Sequence, residues 1–368
     1  MRLLLSFGLG CALAATACTA ESTPSSLTAS EDEVRIDTRS PLARAQYDAN
    51  LAFARGYRPI CTTRRTPGVK RVLITGFGRF LAIADNASGR VVSALTGVRY
   101  PETEAPAAGA VDAPGPQLSV GVSRVRWPRS GSVEICAMVL PVMWDVAPLL
   151  LLRELEAFRP DVVLMNGVAG ERQDLWIELG AVNDARPLED GSGIQTPYDQ
   201  RNAAGDVPIL RNAPRTHPNR MSWSWATERA RAALQIEAAA DPELGAVLTG
   251  VGLAGFPRAS NTYLCNNLTF VTSYLMDAAG APANLLVASD PIEGRANSVR
   301  VALRGAYADV PRTFLHWPRE LTFEGRPQKA ARVLEALADA QLAATAEHPA
   351  IPGDNALAAA ELAGGDTF

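Results

Sequence analysis

Short apolar runs and stretches of helical spacing take turns along most of this chain, and that alternation constrains the fold more than composition does. Arg71 to Thr75 is an apolar run ended by Gly76, and residues 133–140 form the next, stopped by Pro141. Residues 161–165, 246–253 and 309–315 repeat the pattern. Between them, residues 89–95, 146–158, 223–239, 265–279 and 328–344 carry helical spacing. Near-continuous apolar strands must be buried on both sides, and intervening helices supply the cover. The expectation is an α/β fold: an open, mostly parallel twisted sheet with helices on both faces, an α/β/α sandwich. Sites in such sheets lie beyond the carboxyl ends of the strands. The loop at 77–80, the turn at 167–172 and His316 all follow predicted strands.

One segment alternates instead. Leu175, Ile177, Leu179 and Ala181 fall on one face, Trp176, Glu178 and Gly180 on the other. Glu178 would be costly to bury unpaired. It therefore either meets a partner inside or faces water from an edge strand. Asp174 and Glu171, nearer the turn, read as solvated.

The beginning of the chain reads as a targeting segment. Arg2 supplies the charge, Leu3 to Leu13 the apolar core, and Ala15-Thr16-Ala17 the small-residue cleavage pattern. The apolar core is too short for a permanent membrane span. Cys18 follows directly, as in a bacterial lipobox, although Ala15 stands where leucine is usual; ordinary signal cleavage is the alternative. We expect residues 1–17 to be a signal peptide and 18–50 a lipid anchor and flexible tether, since 21–40 is rich in Ser, Thr and acids. A single α/β domain is expected over 51–346, with insertions near 100–130, 187–220 and 289–308. Residues 347–368 read as a loose tail. The expected setting is a bacterial cell envelope, membrane-anchored, with periplasmic or secreted forms as alternatives.

The composition is that of an ordinary globular domain, 47% hydrophobic and 20% charged, with net charge −4. That balance argues against a nucleic-acid partner. It says nothing about oligomeric state. Of five cysteines, Cys11 leaves with the leader. An exported compartment permits a Cys61–Cys136 disulfide, with Cys265 as the odd thiol; the other reading makes Cys136 an ordinary buried strand residue.

Cys265 stands at the mouth of an apolar helix, and His316, one of three histidines, ends an apolar strand. His217 and His348 fall in a polar loop and the tail. A thiol near an imidazole is the minimal unit of cysteine nucleophilic catalysis. Helix-terminal charge and the imidazole would stabilise the thiolate. Glu178 could bond the imidazole and fix its tautomer. Each residue alone has a plainer reading: a buried thiol, a satisfied core histidine, a solvated acid. No paired His or Cys spacing suggests a metal.

Four blocks carry a family resemblance: ITGFGRF at 74–80, GVAGERQDLWIELGAVN at 167–183, TYLCN at 262–266 and FLHWP at 314–318. In this order they resemble pyroglutamyl peptidase I, the pyrrolidone-carboxylate peptidases, over roughly Lys70 to Ala344. The resemblance implies a cofactor-free cysteine peptidase with Cys265 as nucleophile, His316 as base and Glu178 as orienting acid. It implies that Phe77 and Phe80 sandwich a pyroglutamyl ring, with Val168 and Arg172 also at the substrate. The partner would be a peptide or a small acyl-amide. An amidohydrolase or acyltransferase using the same triad, or a tethered binding protein without turnover, are the rival readings. Departures from the family pattern fall on the pocket: Arg79 replaces a proline, Leu81-Ala82 stands where glycines follow, and Asn261 replaces a glycine. If the Arg79 guanidinium entered the pocket, an acidic acyl group would be favoured.

Overall fold

The computed structural model describes residues 35–169, 173–193, 195–196, 207–257, 262–322 and 325–355. The leader, Cys18, Arg172 and Asn261 lie outside the described residues. Seven strands form the body of one sheet: β1 (Lys70–Phe77), β2 (Ser119–Trp127), β3 (Gly131–Leu140), β4 (Val162–Ala169), β5 (Asp174–Glu178), β6 (Gly250–Ala254) and β7 (Arg312–Pro318). Their spatial order is β6-β5-β7-β4-β1-β3-β2. Strands β7, β4, β1 and β3 run parallel. On one flank β5 and β6 pair parallel with each other but antiparallel to β7. On the other flank β2 runs antiparallel to β3. The reversals have a simple cause. Only residues 128–130 separate β2 from β3 and only 170–173 separate β4 from β5, too few for a helical crossover.

The helices are α1 (Pro41–Gly56), α2 (Ala87–Thr96), α3 (Val146–Phe158), α4 (Trp223–Ala240), α5 (Pro242–Val247), α6 (Leu264–Asp277) and α7 (Arg326–Leu342). Strand alternation sorts the core into two halves. Leu73, Met138, Met165 and Phe314 face α1, α3 and α6. Val72, Ile74, Ile135, Leu164 and Leu315 face α2, α4 and α7. Each such fully buried side chain contributes about 1.5–3 kcal/mol. Gly76 and Gly89 let α2 lie directly on β1, because a Cβ at Gly76 would meet the Ser88 carbonyl at 2.5 Å.

The structure corrects several domain expectations. The stretch 18–50 is not all tether. Arg35–Ile36 pairs with Val287–Ala288, and α1 begins at Pro41, capped by the Ser40 hydroxyl. Tyr47, Leu51 and Ala54 are spaced to bury one helical face. Residues 119–127, within the expected surface insertion at 100–130, form the edge strand β2. Part of the 187–220 loop is regular, since Thr216–Pro218 pairs with Gly180–Val182. Val299–Val301, in the 289–308 insertion, pairs with Ala283–Leu285. The tail is not loose throughout: Ile351–Pro352 pairs with Arg220–Met221. Residues 246–247 belong to α5, where Asp241 and Pro242 form a cap and first turn.

Cys61 and Cys136 form a disulfide, with Cα atoms 5.8 Å apart. Beside it the buried Glu154 carboxylate accepts hydrogen bonds from the backbone N–H groups of Ile60 and Cys61 and from the Tyr57 hydroxyl. The segment after α1 is thereby fastened to both β3 and α3. The bridge closes a separation of 75 residues, so replacing both cysteines by alanine should cost about 2–4 kcal/mol. Denaturant unfolding measures this, and superimposable curves would show that the bridge contributes nothing.

Candidate active site

Register alone brings two of the three candidate catalytic residues together. Phe314 lies opposite Glu178 in the antiparallel β5–β7 pair. Residues two apart share a face, so His316 is the diagonal neighbour of Glu178. The His316 Nδ1 atom lies 3.1 Å from Glu178 Oε1, and both side chains are fully buried. On the other side of β7, His316 is level with Gly167 of β4. A Cβ at Gly167 would sit 2.6 Å from the Phe314 ring and 2.9 Å from Cys265 Sγ. The missing side chain is the space into which the thiol descends.

Cys265 is the second residue of α6, half-buried, and the one free cysteine among the described residues. Its thiol is hydrogen-bonded to the His316 imidazole. With Nδ1 turned to Glu178, Nε2 is the nitrogen left for sulfur. The start of α6 is pinned by Asn266, which donates to the carbonyls of Val182 and Asp184 and accepts from the Val182 N–H. Those residues continue the chain beyond Glu178, so Cys265 and Glu178 share one support. Thr313 Oγ1 and Asn219 Nδ2 both donate to the Glu178 carbonyl.

Burial alone would push the His316 pKa down. The Glu178 carboxylate, and then the Cys265 sulfur, outweigh it through charge and hydrogen bonds and hold the imidazole up at about 10. The ring therefore holds its proton at neutral pH. Backbone N–H groups in the first turn of α6 lie beside Cys265, and Tyr263 at the cap position bonds none of them through its side chain.

A cavity of about 260 Å³ opens beside Cys265. Phe77, Phe80 and Val168 line it, together with Val142, Tyr263 and Leu264. Tyr263 meets Phe80 and Trp144 edge-on, with ring centroids 6.2 and 5.9 Å away. Asp85, Asn86 and Arg319 add polar groups to the lining. Two larger clefts, about 660 and 560 Å³, contain none of these residues, so volume does not single out the cavity beside Cys265. His217 is not in an irregular loop: its Nε2 lies 2.9 Å from Asp277 Oδ2, and Arg312 pairs with the same carboxylate.

Arg79 does not enter the cavity. Its guanidinium is buried against Asp112, at 2.6 Å, and donates to the Leu81 carbonyl at 2.8 Å. Asp112 is itself held by Gln117 and by Gln46 of α1. Leu81 adopts a left-handed backbone with φ of 50°, the conformation that glycine tolerates most easily. The Arg79 bond to its carbonyl secures this turn, and Phe80 is bridged to Ile83 within it. Tyr263, Trp144, Gly167 and the Arg79–Asp112 pair are parts of the site that sequence reasoning assigned no such role. Tyr263 stands next but one to Cys265 in TYLCN, which was the available signal.

No protein-family model matches the chain, and no curated protein matches it. Among solved structures it is similar to pyroglutamyl peptidase I from Bacillus amyloliquefaciens, at 16% identity over 75% of this chain and 98% of that one, with a TM-score of 0.46. It is similar to pyrrolidone carboxyl peptidase from Thermococcus litoralis, at 18% identity over 74% and 94% of the two chains, with a TM-score of 0.43. A point mutant of the Pyrococcus furiosus pyrrolidone carboxyl peptidase gives 16% identity, 74% and 98% coverage and a TM-score of 0.43.

The raised His316 pKa has a signed consequence. An unfolded histidine titrates near about 6.5, so the stabilisation is complete below that pH and is lost as pH rises toward about 10. Wild type should therefore lose its stability advantage over Glu178→Gln between about pH 6.5 and 10. Denaturant midpoints across that range measure the gap; a constant gap would contradict the charged pair. Removing Arg79 should leave Asp112 buried and unpaired. Arg79→Met is expected to cost about 3–5 kcal/mol, with Arg79→Met/Asp112→Leu recovering part of the loss.

Proposed function

We propose that this chain is an exported cysteine peptidase of the pyroglutamyl-peptidase type, removing N-terminal pyroglutamate. The observation that carries this reading is the line Cys265–His316–Glu178, standing at the head of α6 beside a largely apolar cavity. The Cys265 thiolate attacks the carbonyl that joins the pyroglutamyl group to the next residue. The oxyanion forms against backbone N–H groups at the start of α6. His316 gives its proton to the departing amine and leaves a thioester on Cys265. It then takes a proton from water, whose oxygen attacks the thioester; pyroglutamate leaves and the thiol is restored. Glu178 holds the ring and balances its charge throughout.

The cavity suits a small neutral lactam. Phe77, Phe80 and Tyr263 offer ring faces and edges. An N-terminal ammonium would lose its hydration in that largely apolar space, where the lining carboxylate, Asp85, is already paired with Arg90, at a cost of several kcal/mol. The Arg79 guanidinium, turned toward Asp112, supplies no counter-charge for an acidic acyl group. Export and membrane anchorage at Cys18 rest on the leader sequence, with support from the Cys61–Cys136 disulfide. No helix among the described residues is long and apolar enough to cross a membrane.

Hydrolysis of a pyroglutamyl reporter tests the reading. Cys265→Ala and His316→Ala should each abolish turnover, and the double variant should be no worse, because the pair acts as a unit. Glu178→Gln should fold and slow the reaction by about a hundredfold or more. A glutamyl reporter should be poorer than the pyroglutamyl one by about a hundredfold. Near-normal turnover in Cys265→Ala would sink the mechanism; preference for the glutamyl reporter would sink the substrate assignment alone. Rapid alkylation of Cys265 without turnover on either reporter would point to another small acyl group.

A further inference from the structure

A cleft larger than the Cys265 cavity lies elsewhere among the described residues. It measures about 660 Å³ and is lined by Arg58, Arg153, Arg159, Arg300 and Arg304, with Glu156 as the one acid. Five positive charges against one negative leave this lining at +4, in a chain whose net charge is −4.

The nearby carboxylates are already engaged. Glu156 accepts hydrogen bonds from the backbone N–H groups of Arg304 and Gly305. Glu154 is buried against Tyr57, Ile60 and Cys61. Among the described residues, none of the five arginines forms an ion pair with a carboxylate. Arg58 and Arg153 both donate to a single neutral acceptor, the Tyr57 carbonyl, at 3.3 and 2.8 Å. Two guanidinium groups converging on one carbonyl repel each other unless an anion lies between them. Burial, and then the charge of Arg58, pull the Arg153 pKa below the usual guanidinium range. Leu152, Ala157 and Val301 provide an apolar floor that keeps the field from being fully screened.

We propose that this cleft is an anion-binding site for a ligand carrying two or more phosphate oxyanions. The guanidinium fork matches phosphate oxygens two at a time. Several such forks around one concavity suit a diphosphate or a phosphate-bearing headgroup better than a lone carboxylate. The site lies toward the amino ends of the strands, because Arg159 caps α3 just before Pro160, Asp161 and the start of β4, while Val168, at the other end of β4, lines the Cys265 cavity. Occupancy therefore leaves the Cys265 cavity open.

The test is calorimetric titration of the full chain with inorganic pyrophosphate at low ionic strength, beside the Arg300→Gln/Arg304→Gln variant. Both replaced residues are exposed, and circular dichroism together with unchanged Cys265 alkylation would show that the fold is intact. Wild type should bind, the variant should bind about tenfold more weakly or worse, and added salt should weaken wild-type binding. A parallel sedimentation with phosphatidylglycerol and phosphatidylcholine vesicles separates the two sources of the same chemistry. Retention on the anionic vesicles alone, lost in the variant and without pyrophosphate binding, would place the phosphate in a lipid headgroup and still support the site. Absence of binding in both arms, or binding equal in wild type and variant, would overturn the proposal.

Discussion

The Glu178–His316 pair is the interaction on which the arrangement of the site depends. Two fully buried ionisable groups 3.1 Å apart recover their desolvation cost only if geometry is held closely and neighbours supply hydrogen bonds. The fold meets that demand through strand direction. Because β5 runs against β7, Glu178 falls opposite Phe314 and one diagonal step from His316. A parallel β5 would place the acid in a different register. Thr313 and Asn219 then fix the backbone at Glu178, and Asn166 ties β1, β4 and β7 together through the Thr75 carbonyl and the Trp317 indole. The pair is thus a consequence of sheet topology rather than of two flexible side chains finding one another.

The aromatic side of the cavity has a separate support. In the turn after β1, Arg79 reaches away from the cavity into a network that includes Asp112, Gln117 and Gln46. Gln46 belongs to α1, so a helix far from the thiol in sequence helps fix the turn that carries Phe80. The buried ion pair performs by side-chain bonding what a rigid proline would do by backbone restriction. This explains why the residues before 51 had to fold: α1 covers one half of the core and braces the pocket loop at once.

Much of this was legible in the sequence because it rests on periodicity. Helix α3 coincides with the helical spacing read over 146–158, and the alternation at 175–179 put Glu178 on the face opposite Leu175 and Ile177. What stayed hidden depends on long-range partners. The antiparallel sense of β5 follows from a short connection, but its seat beside β7 rather than β4 does not. Strand β2 was obscured by the Pro- and Gly-rich residues before it, and α1 by the polar stretch preceding Pro41. The role of Gly167 was unreadable, since nothing in a one-residue gap names the sulfur and ring that fill it. Arg79 looked like a pocket residue until Asp112, 33 positions away, claimed its charge.

A buried, protonated imidazole beside an apolar cavity imposes its own selectivity. The imidazolium charge is balanced by Glu178, and an additional cation from a substrate amine would meet the uncharged side chains of Phe77, Phe80, Val142 and Val168. Asp85 lines the same cavity but is paired with Arg90. A neutral ring that brings its own N–H and carbonyl can bond to backbone groups at the strand ends and leave this balance undisturbed. Phe80 and Tyr263, the latter packed edge-on against Trp144, present apolar rings to the cavity. The proposed preference for a lactam therefore follows from the apolar lining of the cavity, while Glu178 holds the proton on His316 against the effect of burial.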